Sequence, residues 1–323
     1  MRVVFMGTPD FSVPALKALV DGGHEVTAVI TQPDKPKGRG KEVQMTPVKL
    51  AAMEYGIPVY QPVKIRDPEF IGRLKEIPAD VYVVIAFGQI LPKAVLDIPP
   101  CGCINIHASL LPKYRGAAPI QWCVIDGEKE TGITTMMMDT GLDTGDMLEK
   151  AVIPIEEKET GGSLHDKLSL VGGELILSTL KKLEEGTLVR TPQTEEGTCY
   201  AKMLTKTMGD IDWSTSGVSI ERLIRGLNPW PSAYTHWNGK TIKLWAASAV
   251  SGTEEESLMA GREDLADGTV LSSGKKGLFV KTGQGVLSIR ELQLEGKKRM
   301  DVDAFLRGYA IPEGDVFVKK EGE

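Results

Sequence analysis

Between Asn105 and Gly116 the chain reads Asn-Ile-His-Ala-Ser-Leu-Leu-Pro-Lys-Tyr-Arg-Gly, and residues 141–146 read Gly-Leu-Asp-Thr-Gly-Asp. Asn105 and His107 sit two apart at the end of an apolar run. On a strand such neighbours project to the same side. Asp143 lies in a second glycine-flanked loop that can bring it beside the imidazole. A carboxylate there favours the charged ring and fixes its orientation, so the ring can take a proton from an incoming amine and donate to developing negative charge. An Asn amide is a neutral donor suited to an oxyanion. The trio has no metal-ligand spacing and no Ser or Cys nucleophile beside the base. The chemistry expected is proton transfer with oxyanion stabilisation at a carbonyl.

A lone histidine is more often structural than catalytic. Here it ends an expected strand and precedes a proline- and glycine-rich loop, which is where a site belongs in a parallel sheet. Strand and helix signals alternate through the first half. Strands are expected over 2–6, 25–31 and 80–87, from 103 onward, and over 132–138. The run at 80–87 is nearly all apolar and β-branched, as a strand buried on both faces requires. A helix opens at Ser12-Val-Pro14 and stops at Gly22-Gly23; another runs from Thr46-Pro47 to Gly56. Residues 117–125 and 164–183 read as two more. Such alternation implies right-handed crossovers and an α/β, Rossmann-like doubly wound, mostly parallel sheet.

Residues 187–207 are polar, contain Pro192 and Gly197, and have no sustained periodicity, so they read as a linker. Beyond them a helix over 218–227 precedes Asn228-Pro-Trp-Pro231. Short alternating segments follow at 233–237, 241–247, 268–271, 277–282 and 286–294. Strands with glycine turns at this spacing indicate a smaller OB-like β-barrel. Residues 303–308 read as a terminal helix and the acidic stretch 252–267 as a mobile loop. The expected division is 1–186, a linker over 187–207, and a second domain over 208–323.

With 323 residues, 41 % hydrophobic and 25 % charged, the composition is that of a soluble globular protein. The apolar run at 1–7 is short for a signal peptide, and no stretch reaches the roughly 18 apolar residues of a membrane span, so a cytoplasmic protein without membrane contact is expected. Four cysteines fit reduced thiols, and Cys101-Gly-Cys103 lacks a second ligand pair at a zinc interval. Net charge is −6, and residues 206–323 carry 16 Lys and Arg against 17 Asp and Glu. Contact with a nucleic acid would therefore come from local patches. One such patch is Lys35-Pro-Lys-Gly-Arg-Gly-Lys41, with four positive charges in seven residues and no acid. On composition alone it reads as a solvated loop. The first turn, Gly7-Thr-Pro-Asp10, lacks the glycines of a dinucleotide fingerprint, and no Gly-x-x-x-x-Gly-Lys occurs.

Asn105-Ile-His107-Ala-Ser-Leu-Leu-Pro112, Arg115-Gly-Ala-Ala-Pro119 and Gly141-Leu-Asp-Thr-Gly-Asp-Met147 resemble the signature of 10-formyltetrahydrofolate-dependent formyltransferases. The resemblance extends through Met6-Gly-Thr-Pro-Asp-Phe11, Gln32-Pro-Asp-Lys-Pro-Lys-Gly-Arg-Gly40, Ala86-Phe-Gly-Gln-Ile-Leu91 and Asn228-Pro-Trp-Pro231, nearly the full length. It implies transfer of the N10-formyl group to the α-amino group of methionine carried by initiator tRNA. Asn105, His107 and Asp143 are then the catalytic residues. The folate would be held by Phe87, Gly88, Gln89, Ile90 and Leu91, by Ser109, Leu110, Leu111 and Pro112, and by Asp139 on the pterin side. Arg115 would pair with an acid, hold the loop or face substrate.

By the same resemblance Lys35, Lys37, Arg39 and Lys41 form a loop that enters the acceptor stem, with Arg39 at its key position. The first domain would be catalytic and the second would bind tRNA, through residues drawn from Lys206, Arg222, Arg225, Lys240, Lys243 and the run Lys297-Lys-Arg299. No metal is called for, and one site per chain makes a monomer sufficient. The Asn-x-His and Asp pieces are shared across the superfamily, so they leave other acceptors open. These are a sugar-nucleotide amine, glycinamide ribonucleotide, or water in a formate-releasing hydrolase; a silent folate- or RNA-binding protein would not need the trio.

Overall fold

The computed structural model describes residues 1–37 and 42–320. It divides into two compact units that interleave along the chain. The first comprises Met1–Pro119, Glu130–Pro154 and His165–Ala201, and the second Ile120–Lys129, Ile155–Leu164 and Lys202–Glu323.

The first unit contains strands β1 (Arg2–Gly7), β2 (Glu25–Ile30), β3 (Lys35–Lys37), β4 (Glu42–Gln44), β5 (Val59–Tyr60) and β6 (Val81–Ile85). It continues with β7 (Cys103–His107), β8 (Arg115–Gly116), β9 (Glu130–Met137), β10 (Met147–Pro154) and β11 (Tyr200–Ala201). Seven of these form one sheet in the order β10-β9-β7-β6-β1-β2-β5. The β1–β2, β1–β6, β2–β5 and β6–β7 pairs are parallel, while β9 runs antiparallel to β7 and β10. The mixed α/β fold with a mostly parallel central sheet is as expected. All five residues of β6 are buried, which accounts for its unbroken apolar run. Strand order turns outward from β1 in both directions, so the carboxyl ends of β1 and β6 flank a crevice where ligands of open α/β sheets bind.

Helices α1 (Val13–Asp21), α2 (Pro47–Glu54), α3 (Pro68–Glu76) and α4 (Lys93–Leu96) belong to this unit, α2 capped by the Thr46 hydroxyl accepting from Lys49 N. Helix α5 (Pro119–Asp126) passes into the second unit after Pro119, and α6 (Gly161–Glu184) passes from the second unit into the first. The segment expected to be a linker is different in kind up to Ala201. It lies with the first unit, where β11 pairs in parallel with β8 and Thr191 exchanges backbone hydrogen bonds with Met147 at 2.8 and 2.9 Å.

In the second unit α7 (Gly217–Gly226) precedes strands β12 (Ala233–Trp237) and β13 (Lys240–Ala249). Helix α8 (Thr253–Met259) lies inside the stretch expected to be a loop. Its three glutamates, Glu254, Glu255 and Glu256, fall in the first turn, where carboxylates favour a helix. Strands β14 (Val270–Gly274), β15 (Gly277–Lys281) and β16 (Val286–Leu294) complete an antiparallel sheet in the order β12-β13-β16-β15-β14, with β17 (Met300–Asp301) on β16 and α9 (Val302–Gly308) after it. Ile211, Trp213, Ile220, Ile224, Leu244, Ile289 and Phe305 are among its core residues. Among the described residues no helix is long and apolar enough to cross a membrane.

Candidate active site

Strand alternation on β7 turns Ile104 and Ile106 into the core and leaves Asn105 half-buried beside His107, which is 6 % exposed. The ring Nε2 lies 2.9 Å from the Tyr114 carbonyl oxygen. A carbonyl only accepts, so Nε2 carries the hydrogen and the neutral ring keeps its lone pair on Nδ1. Nδ1 is 3.8 Å from Asp143 Oδ2. That carboxylate oxygen also accepts from Gly116 N at 2.8 Å. Among the described residues the Asn105 amide has no hydrogen-bond partner, so its N–H groups are free to meet an incoming oxygen. The structure thus brings together all three residues singled out for chemistry.

The loop carrying Asp143 is held from inside and outside. Asp143 adopts φ +55°, a left-handed conformation that costs a non-glycine residue free energy unless its surroundings enforce it. Asp139 Oδ1 accepts from Gly141 N at 2.9 Å and Thr144 Oγ1 at 2.7 Å, so this carboxylate oxygen braces the loop. At Gly145 a Cβ would lie 1.7 Å from the Met137 carbonyl oxygen, and only glycine fits there. Gln193 Nε2 donates to the carbonyls of Asp143 and Gly145, each at 2.8 Å. Of the alternatives left open for Arg115, the structure shows two together: its buried guanidinium donates through Nε to Gln193 Oε1 at 3.0 Å, which holds the loop region, and through Nη1 to Oε1 of the exposed acid Glu195 at 3.3 Å. Gln193 escaped the sequence reading because an isolated polar residue in an aperiodic stretch carries no pattern.

The residues named for the folate fall into two groups. Phe87 and Leu91 are buried in the core with Val4, Met6 and Ile30, and Leu111 and Ser109 are fully buried. Their side chains therefore face protein. The Phe87 carbonyl accepts from Thr8 Oγ1 at 2.9 Å and Gln32 Nε2 at 3.2 Å. The Gln89 amide accepts from Ile65 N at 2.7 Å and donates to the Pro62 carbonyl at 3.3 Å, which ties the loop at 62–65. Ile90 is 84 % exposed, Leu110 and Pro112 are half-buried, and Gly88 has φ +84° beside Ala86 at +45°. These last positions, after the carboxyl ends of β6 (Ala86, Gly88, Ile90) and β7 (Leu110, Pro112), have surface and backbone to offer a ligand.

A cavity of about 570 Å³ opens next to this site, lined among others by Leu96, Cys103, Met138, Asp139, Thr140 and Arg190. Asp139 is its one residue in common with those named above. Cys103 carried a usable signal, since it precedes Asn105 by two on the same strand and so shares its side. Burial pushes the Cys103 thiol up to about 12, far from the thiolate that nucleophiles and metal ligands require. Iodoacetamide at pH 8 should therefore leave Cys103 unmodified in the folded protein and alkylate it after denaturation. Native-state alkylation at Cys103, read by peptide mass spectrometry, would contradict its burial. Among the described residues no group of three or more His, Cys, Asp or Glu is placed to hold a metal ion.

The first residues of the basic run lie on β3, which pairs antiparallel with β4, Lys35 opposite Gln44 and Lys37 opposite Glu42. Lys35 is exposed; Arg39 and Lys41 lie outside the described residues. At the base of this strand pair Lys49 Nζ donates to Asp34 Oδ2 at 2.5 Å and to Gln61 Oε1 at 2.8 Å, and Gln61 Nε2 donates to Asp34 Oδ1 at 2.6 Å. The Lys49 and Gln61 hydrogen bonds hold the Asp34 carboxyl below its ordinary range. In the second unit Arg225 is committed to Glu221 and to the Glu159 carbonyl, and Arg299 to Glu291, while Lys206, Lys240, Lys297 and Lys298 are exposed.

The formyl transferase family model matches residues 1–180 and the model of the formyl transferase C-terminal domain matches residues 203–310. A methionyl-tRNA formyltransferase of Agathobacter rectalis is 56 % identical over 317 residues, covering 98 % of this chain and 99 % of that protein. One of Acetivibrio thermocellus is 51 % identical over 316 residues, with 98 % and 99 % covered. Among solved structures, a sugar 3N-formyl transferase with dTDP and 5-N-formyl-THF superposes with a TM-score of 0.65 at 16 % identity, covering 92 % of this chain and 99 % of that one; at that identity the likeness is one of fold. On these matches the chain belongs to the formyl transferase family, among the methionyl-tRNA formyltransferases.

Proposed function

We propose that this chain transfers the formyl group of 10-formyltetrahydrofolate to the α-amino group of methionyl initiator tRNA. The observation that carries the chemistry is a histidine whose Nδ1 faces Asp143, beside an Asn105 amide with no hydrogen-bond partner among the described residues. The folate supplies the formyl group on N10. The cavity bordered by Asp139 and Thr140 fits its pterin side, with apolar wall from Leu96 and Met138 and loop backbone to pair with a ring edge.

The attacking amine must be neutral, and an α-amino group loses its proton near pH 7.7–8.0, so a weak base is enough. His107 Nδ1 accepts that proton, because the Tyr114 carbonyl engages Nε2. Asp143 then steadies the imidazolium, and the same Nδ1–H is the proton available to the leaving nitrogen. Asn105 donates to the carbonyl oxygen as charge develops on it. Holding amine and formyl carbon together in a half-buried crevice supplies much of the remaining acceleration.

The first unit is the catalytic, folate-binding part in this reading and the second the tRNA-binding part. An OB-like barrel for the second unit is supported by its C-terminal segment. Val318 exchanges backbone hydrogen bonds with His236 on β12, at 3.0 Å each way, while the Phe317 N–H donates to the Gly268 carbonyl beside β14 at 2.8 Å. Both sheet edges are thereby partnered, as a barrel requires. The exposed Lys206, Lys240, Lys297 and Lys298 offer phosphate contacts. A cytoplasmic monomer, working on tRNA and folate without a membrane, completes the proposal.

Acceptor choice rests on the basic run around Arg39. Arg39→Ala should lower kcat/KM for methionyl initiator tRNA by about tenfold or more, mainly through KM for the tRNA, and flatten its salt dependence. Unchanged tRNA kinetics would remove Arg39 from the acceptor site.

A further inference from the structure

We propose that Gln193 is the positioning residue for Asp143, a clamp that sets the angle of the carboxylate from a segment lying between the two family-model matches. The inference rests on the reading of His107 and Asp143 as the proton-handling pair. Gln193 is half-buried, and every one of its amide groups is used. Arg115 Nε donates to its oxygen at 3.0 Å, which forces the amide nitrogen to face the opposite way. There its two hydrogens go to the carbonyls of Asp143 and Gly145, at 2.8 Å each. Those two carbonyls flank Thr144, and Gly145 is itself wedged against the Met137 carbonyl. The backbone at Asp143 is therefore pinned in its left-handed conformation, φ +55°, and the side chain leaves it toward Gly116 N and His107 Nδ1.

The clamp is itself anchored. Thr191 is joined to Met147 by two backbone hydrogen bonds, and β11 is paired with β8. The same strap reaches the histidine. Tyr114 N donates to Cys199 Sγ at 3.2 Å, and the Tyr114 carbonyl takes the hydrogen of His107 Nε2. One segment, 191–201, thus sets both members of the proton-handling pair. The Arg115 side chain orients the glutamine and bears on Asp143 through it, so Gln193 is the point at which the two side chains can be uncoupled.

The test uses the full chain with 10-formyltetrahydrofolate and methionyl initiator tRNA, measuring kcat and both KM values for Gln193→Ala, Gln193→Glu, Asp143→Ala and the Gln193→Ala/Asp143→Ala double variant. Gln193→Ala should lower kcat about 10–100-fold with both KM values within about threefold of the wild type. Gln193→Glu is the sharper variant. It is isosteric and still accepts from Arg115, but it turns an oxygen toward two carbonyls, so kcat should fall at least as far as with alanine. A residue needed only for packing would tolerate glutamate. In the Asp143→Ala background, Gln193→Ala should cost less than about twofold more, because the residue it positions is gone. Wild-type kcat in Gln193→Glu, or losses that multiply in the double variant, would overturn the clamp while leaving the catalytic reading intact. Wild-type turnover in Asp143→Ala would overturn the catalytic reading, and the clamp with it.

Discussion

His107→Ala should lower kcat for formyl transfer by about 10²–10⁴-fold, the range a positioned general acid–base group contributes, while the protein stays folded. The size of the loss follows from the absence of a substitute. Among the described residues no other imidazole stands at the Asp143 carboxylate, and Asp143 is 3.8 Å behind the ring, with Oδ2 already accepting from Gly116 N. Water admitted to the gap would be the remaining base, without orientation. Folding is retained because the change removes a single hydrogen bond, that of the ring to the Tyr114 carbonyl, at a net cost of about 0.5–1.5 kcal/mol. The check is kcat measured alongside far-UV circular dichroism and the thermal midpoint. Folded protein with kcat within threefold of the wild type, about 0.7 kcal/mol in barrier, would remove His107 from the chemistry.

Asn105→Ala should cost about 10²–10³-fold in kcat, as loss of a single oxyanion donor does, with KM for both substrates nearly unchanged. The split has a structural reason. The Asn105 amide has no partner among the described residues, so truncation breaks no resting hydrogen bond and leaves neighbouring residues in place. What disappears is a donor whose worth grows as the carbonyl oxygen gains charge. Asn105→Asp should be worse than alanine, since a carboxylate would face the oxygen that becomes negative. A raised KM with unchanged kcat in Asn105→Ala would mean that the amide binds substrate and does not stabilise the transition state.

The trio is legible in the sequence because its two parts follow local rules. Side-chain alternation puts Asn105 and His107 on one side of β7, and glycines at 141 and 145 announce a tight loop around Asp143. The sheet was legible for the same reason, since the run at Val81–Ile85 can only be a strand covered on both faces. Strand β10 was not: its exposure alternates as an edge strand's does, and Glu149 and Lys150 dilute the apolar signal. Pocket residues were harder still. Phe87, Leu91 and Leu111 are apolar in a loop whether they line a ligand pocket or the core, and in the structure all three are buried. The strap at 191–201 escaped notice because it is held by backbone pairing to β8 and Met147 and by single amide contacts. Neither leaves a periodic trace. Interleaving of the two units is equally invisible locally, since α5 and α6 read as ordinary helices wherever they pack.

A single-turnover reaction with 10-formyltetrahydrofolate labelled on the formyl carbon, offered methionyl initiator tRNA and an amino-sugar nucleotide together, tests the central claim most directly. The label should appear on the α-amino group of methionine, one for each tetrahydrofolate formed, and should fail to transfer at a measurable rate in His107→Ala. Label released as formate, or found on the amino sugar while the tRNA stays unformylated, would contradict it.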